Sequence, residues 1–460
     1  MKRSLLVLAL FAVLAALAPS RAHATPAFAR QTGVSCQGCH TVFPELTPFG
    51  RKFKLNGYVF TNVKQLEPLS EQGQRTLALS EIPPLSVQLQ ASNTTLQRSV
   101  PDAGATGDLA QRNSTEFPQA LSLFYTGKIS DNLGAFLQLT WSPPSDSVGI
   151  DNSDLRFANH AAFDSIGMPD FIYGLTLNNN PTSQDVWNST PAWGYPYILP
   201  DSAVPPVAST LLDGQLAQES AGLSAYVYLF DHLYLEGGAY RSAQTSFTNA
   251  TTGGPGPLDS TAPNDRISGV APYWRLAWEQ AWGEHSLEFG TYGIRAETHP
   301  TGIGENGPLN VFTDIALDGQ YQFITDDHIF SLAGTWIHEH RHFNNVLLAT
   351  HQNNDLDTER LTASYYFRRR IGGYVQGFST TGSRDPIMYA MGTPVLGSAK
   401  GRPDTQGAIV ELDFLPWLNT KLGVQYTIYS KFNGDSKNYD GFGRKASDNN
   451  ALFVYVWTAF

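Results

Sequence analysis

From residue 84 the chain alternates. Leu85, Val87, Leu89 and Ala91 are apolar, while Ser86, Gln88, Gln90 and Ser92 between them are polar. This period of two belongs to strands with one apolar and one hydrated face. The pattern recurs from Leu133 to Trp141 and at Leu422, Val424, Tyr426 and Ile428, whose intervening residues are small or polar. Sixteen such segments begin near residues 84, 118, 133, 152, 171, 220, 232, 272, 285, 310, 328, 357, 371, 405, 420 and 451. The connections are short at 130–132, 230–232, 283–285 and 325–328, and long near 98–117, 178–219, 242–271, 342–357, 383–405 and 432–450. An even number of roughly ten-residue alternating strands, joined by turns at one end and long loops at the other, predicts a closed antiparallel barrel in a bacterial outer membrane. The phase puts the N-terminal segment on the periplasmic side. The last ten residues form an apolar strand ending on Phe460, and a soluble β-sandwich explains neither this ending nor the loop rhythm.

The first residues follow a different pattern. Lys2 and Arg3 precede an apolar run from Leu5 to Ala18 and the small-residue site Ala22-His23-Ala24, which predicts a signal peptide over 1–24, cleaved before Thr25. The run is shorter than the roughly 18–20 residues of a membrane-spanning helix, and no later run is as long. Composition agrees with a barrel. Aromatic residues make up 12% of the chain and charged residues 15%, against about 25% charged in ordinary soluble domains. A formal net charge of -11 argues against nucleic acid as a partner.

Only two cysteines occur in 460 residues, and both fall in Cys36-Gln37-Gly38-Cys39-His40. C-x-x-C-H is the spacing at which two thiols add to haem vinyl groups and the following histidine reaches the iron. A redox dithiol is expected beside a βαβ pattern, and a zinc site needs further ligands nearby; the sequence offers neither. One covalent haem c is therefore the expected cofactor, held by Cys36, Cys39 and His40. The segment 25–80 is too small to build a substantial core from its own side chains, so haem is expected to supply much of it. Pro48, Phe49, Phe53 and Leu55 predict a short helix ending at Asn56-Gly57. Its Arg51, Lys52 and Lys54 read either as contacts to haem propionates or a redox partner, or as a solvated basic face.

The haem pentad together with Pro44, Leu46, Gly50-Arg51, Phe53-Lys54 and Gly57-Tyr58 resembles the fused cytochrome-porin family, whose best-known members are outer-membrane iron oxidases. The resemblance lies between Phe28 and Tyr58 and extends to the rest of the chain only as similar architecture. It implies a mono-haem cytochrome c segment at 25–80 joined to a porin-like barrel over 84–460. It further implies an oxidoreductase that takes electrons from extracellular Fe(II), or another redox-active metal, and passes them to a periplasmic carrier such as a soluble cytochrome c. The same architecture also admits outward electron transfer, or a transport porin with an accessory cytochrome.

Three further expectations concern side chains. Strand parity sends Asp154, Glu288, Asp314, Asp318, Glu411 and Asp413, with Arg156, Arg360 and Arg368, into the lumen, and the long loops are acid-rich, an arrangement that concentrates cations. His338, His340 and His342 share one face of the eleventh strand about 7 Å apart and have lipid-side parity, so they read as a strand extension above the bilayer or as a metal site. The N-terminal segment offers no methionine or second histidine for the sixth iron position. His160 is the leading candidate by parity, with His232, His285, His328, Met168, Lys54 and the amino group of Thr25 as competitors.

Overall fold

The computed structural model describes residues 27–59, 65–66, 79–80, 84–101, 110–142, 147–163, 168–194, 196–243, 266–300, 307–344, 349–390 and 394–460. The signal peptide expected at 1–24 lies outside these residues, as do most of 60–83 and the stretches 102–109 and 244–265.

Sixteen long antiparallel strands form the wall. They are β1 Leu85–Pro101, β2 Ala110–Ser130, β3 Leu133–Ser142 and β4 Asp154–Phe163; β5 Met168–Asn178, β6 Ser220–Leu229, β7 Leu233–Ser242 and β8 Ala271–Trp282; β9 His285–His299, β10 Asn310–Ile324, β11 His328–His342 and β12 Asn353–Phe367; and β13 Ile371–Gly382, β14 Thr405–Trp417, β15 Thr420–Lys431 and β16 Ala451–Ala459. β16 pairs with both β15 and β1, so the sheet closes and leaves no free edge. The period of two acts as the sequence predicts. In β8, Tyr273, Arg275 and Ala277 point inward and are buried, whereas Trp274, Leu276 and Trp278 are exposed on the outside. The same outward belt carries Leu137, Leu317, Leu361 and Leu412. A continuous apolar exterior around a closed barrel is the surface that lipid covers.

All predicted strand starts but one fall within four residues of those observed. The exception is β2, which begins at Ala110 and not near 118. Its extra length pairs with β1 through polar rungs on both faces, such as Asn93 Nδ2 donating to Thr115 Oγ1 at 2.7 Å. A hairpin projecting beyond lipid has no apolar face, so alternation gives no sign of it.

A larger correction concerns 178–219, expected as an extracellular loop. Residues 179–219 fold into the barrel, where Thr182, Trp187, Thr190 and Leu211 are fully buried. The stretch has no lysine or arginine and many neutral polar side chains, which satisfy the polar inner wall. Gln184 Nε2 donates to Glu236 at 2.9 Å, Trp187 Nε1 to Glu279 at 3.0 Å, and Ser189 Oγ to Asp318 at 2.5 Å. Parity placed Asp154, Glu288, Asp314, Asp318, Glu411 and Asp413 correctly, all buried in the lumen with Arg156. Arg360 also faces inward and pairs with Asp213 of this inner segment at 2.5 Å. Arg368 does not. It sits with positive φ in the turn after β12 and pairs at the exposed surface with Asp327, because the strand ends one residue before it.

Candidate haem-attachment site

Residues 27–59 form three short helices: α1 Ala27–Thr32, α2 Cys36–Cys39 and α3 Pro48–Leu55. The third starts as its sequence requires, with Thr47 Oγ1 accepting from Gly50 N at 3.1 Å and Pro48 at the first turn. It ends at Asn56, followed by Gly57 at φ 69°. Thr47 also ties α3 to α2, its Oγ1 donating to Gly38 O at 2.6 Å and its N to Cys39 O at 2.9 Å. Gly50 allows this approach, because a Cβ there would lie 2.1 Å from the Cys39 carbonyl oxygen.

These helices do not form a free-standing domain surface. α1 is fixed to the end of β2 by Gln31 Nε2 donating to Thr126 O at 2.8 Å. Arg51, at 1% exposure, enters the wall, where its guanidinium bonds Glu279 and donates to Gln322 Oε1 at 2.8 Å and Ser286 Oγ at 3.2 Å. Lys54 Nζ donates to Ser183 O and Asp185 O of the inner segment, both at 2.7 Å. Burial, with the Arg156 charge adding to it, lowers its pKa to about 7. Tyr58 OH donates to Asp154 at 2.6 Å. Of the three basic residues on α3, only Lys52 is solvated, pairing with Asp231 at 2.8 Å. The barrel wall and inner segment thus supply packing for a segment whose core the sequence assigned in large part to haem.

Cys36, Cys39 and His40 come together in the lining of one cavity that opens to solvent. Its other walls are largely apolar: Phe28, Val34, Phe53, Phe124, Phe136, Trp193 and Trp457. The barrel residues among the lining come from the starts of β1 and β3, the ends of β2 and β16, and the Leu418-Asn419 turn, so the cavity lies at the short-turn end. Both cysteines are free. Burial raises the pKa of each, with the neighbouring Cys36 adding to the rise of Cys39 to about 11, so both stand as neutral thiols. His40 Nδ1 lies 3.2 Å from Pro44 O. A carbonyl can only accept, so Nδ1 carries the proton and Nε2 keeps its lone pair, the tautomer a metal-bound histidine needs. Burial lowers the His40 pKa to about 4, against the raising effect of the backbone contacts at Pro44 and Glu45.

The expected sixth ligand, His160, does not line this cavity. It has the inward parity read from the sequence, but its ring bonds Asn56 at the end of α3 and is exposed. His232 bonds Glu279 O at 2.9 Å, His285 the Tyr321 hydroxyl at 2.8 Å and His328 the Tyr365 hydroxyl at 2.7 Å; none of the three lines the cavity either. Lys54 does line it. The Met168 side chain and Thr25 lie outside the described residues. His338, His340 and His342 each bond the residue directly opposite on β12: Asp357 at 3.0 Å, Asp355 at 2.7 Å and Asn353 at 2.7 Å. Among the described residues no three histidine, cysteine or carboxylate groups are placed to hold a metal ion, and these three form an outward polar ladder beyond Trp336. Sequence reasoning missed Phe43 and Trp457, which stack at 4.9 Å beside His40. Lumen parity shared with Phe453 and Tyr455 was the available signal for Trp457.

No family model and no curated protein matches the chain. Among solved structures it is similar to outer-membrane expressed OmpT of Vibrio cholerae, at 10% identity and TM-score 0.43 over 82% of this chain and 97% of that one. It is also similar to the outer membrane channel DcaP of Acinetobacter baumannii, at 11% identity and TM-score 0.44 over 82% and 96%. A third is a mutant Rh. blastica porin, at 12% identity and TM-score 0.37 over 82% and 99%.

Proposed function

We propose that this chain is an outer-membrane cytochrome-porin that takes electrons from extracellular Fe(II), its substrate, and delivers them to a periplasmic carrier such as a soluble cytochrome c. The observation that carries the reading is the convergence of Cys36, Cys39 and His40 on one apolar cavity, with Pro44 O fixing the His40 tautomer. The donor set fits haem c: two free thiols for its vinyl carbons, a neutral imidazole for its iron and aromatic walls for its ring. When bound, haem c supplies one-electron exchange at a potential set by ligation, burial and nearby charge.

The chain's own residues do the rest. Thr47 and Gly50 hold α3 against the Cys39 carbonyl, which fixes the attachment helix. Phe43, Phe124, Phe136, Trp193 and Trp457 exclude water from the site, and Arg51 locks the helices into the wall. No general acid or base is needed for one-electron transfer. The position of the cavity at the short-turn end supports delivery to the periplasmic side, since outer-membrane barrels carry their short turns there.

Several of the lumen carboxylates expected to concentrate cations meet cationic side chains of the protein itself. Arg156 pairs with Asp154, Arg275 with Asp185 and Asp318, and Lys421 with Glu411. Haem staining of a denaturing gel, with the intact mass, tests the attachment: one haem per chain is expected, and a chain exported alongside haem-loading machinery that carries none would overturn the reading.

A further inference from the structure

One hydrogen-bond donor in the cavity wall has no partner. Trp457 on β16 is 4% exposed and lines the cavity, and its buried Nε1 meets no acceptor among the described residues. Indole nitrogen is a donor only, so rotation cannot turn it into an acceptor. The ring is held in place as well: it stacks on Phe43 at 4.9 Å and 26°, and Phe43 packs against the His40 ring at 5.1 Å. Buried N–H groups are nearly always paired, so an orphan in the wall of the cavity that Cys36, Cys39 and His40 also line points to an acceptor on the occupant.

We infer that Trp457 donates its N–H to a carboxylate of the group seated in this cavity. On the haem reading above, on which this inference rests, that carboxylate is a propionate, because a porphyrin periphery offers no other strong acceptor. Trp457 is then a positioning residue that links the closing strand of the barrel to the cofactor. Among the described residues the one cationic side chain in the lining does not compete for this role, because Lys54 Nζ is committed to Ser183 O and Asp185 O and lies 4.7 Å over the Trp193 ring.

The test uses the full haem-loaded chain with Trp457→Phe, which keeps the stack on Phe43 and removes only the donor. A hydrogen bond to a charged group favours its ionised form. Its loss should therefore raise the proton affinity of one propionate by roughly tenfold, or about one pH unit, read from the infrared carboxylate bands during a pH titration. Phe43→Leu, which disturbs the stack and keeps the donor, should shift that titration less than threefold, and Trp457→His, which retains a ring N–H, should recover part of the wild-type value. If Trp457→Phe carries covalent haem and titrates like wild type, the inference is overturned while the attachment reading stands. If the wild-type chain carries no haem, both fall. Should Trp457→Phe fail to assemble, judged by loss of heat-modifiable gel mobility, the ultraviolet resonance Raman N–H signature of the indole decides the matter in the wild-type barrel. It should differ between the haem-loaded chain and the Cys36→Ala/Cys39→Ala chain, and identical signatures would overturn the inference.

Discussion

Arg51→Ala should undock helices α1 to α3 while leaving the barrel intact. The side chain is almost wholly buried, and its guanidinium bonds Glu279, Gln320, Gln322, Ser286 and the Leu46 carbonyl. Removing one partner of a buried ion pair costs about 3–5 kcal/mol, because the other charge stays desolvated. Glu279 keeps two donors, Trp187 Nε1 at 3.0 Å and the Tyr228 hydroxyl at 3.2 Å, which places the expected loss near the lower end, about 3 kcal/mol. At about 1.4 kcal/mol per decade that is roughly a hundredfold rise in the undocked population. Native-state hydrogen exchange reads it directly. The amides of Arg51 and Asn56, bonded to Thr47 O at 2.9 Å and Lys52 O at 2.8 Å, should lose about two decades of protection, while the ladder amides of β9 and β10 stay unchanged. The double variant Arg51→Met/Glu279→Gln, which leaves no unpaired charge, should recover much of the loss. Protection of α3 within threefold of wild type in Arg51→Ala would refute the account of how these helices are held.

Cys36→Ala or Cys39→Ala should weaken covalent haem staining without altering heat-modifiable mobility, since no strand depends on either thiol; full staining after both substitutions would remove the attachment site. Gly50→Ala forces a Cβ to within 2.1 Å of Cys39 O and should cost about 1–3 kcal/mol of docking, visible as reduced haem loading at normal barrel yield. Burial pushes the Asp385 carboxyl up, but the N–H groups of Thr350, Met388 and His351 outweigh it and hold the pKa at about 2. Its stabilisation of the loop end is therefore complete above the ordinary value of about 3.9 and lost as pH falls from there toward 2, so amides around Thr350 should keep their protection at pH 5 and lose it near pH 2, a loss that Asp385→Asn should blunt. Tags inserted at Gly254 or Gly443 should be accessible on intact cells and tags at Asp131 should not; the reverse would invert the barrel.

The barrel was legible because lipid on one side and polar side chains on the other impose a strict period of two on sixteen strands. The same physics explains where reading failed. The outer part of the β1–β2 hairpin is polar on both faces, so residues 110–117 gave no strand signal. The segment 179–219 looks like a surface loop because a polar lumen and bulk water select similar side chains; its lack of lysine and arginine was the clue to burial. The spacing of Cys36, Cys39 and His40 already places the three close together, and the structure adds why Gly50 and Arg51 stand beside them: one permits the close approach of α3, and the other anchors it. Trp457 and Phe43 reach the site from β16 and the α2–α3 connection, and no local pattern announces such a meeting. Parity carried His160 to the correct face of β4 but not to the cavity, since parity says nothing of depth along a strand.

The most direct measurement of the central claim is to mix the oxidised, haem-loaded protein with excess Fe(II) and follow the haem spectrum, from acid to neutral pH. The account predicts a reduced-haem spectrum at the expense of Fe(II), absent from the Cys36→Ala/Cys39→Ala chain. A haem that stays oxidised across that range contradicts it.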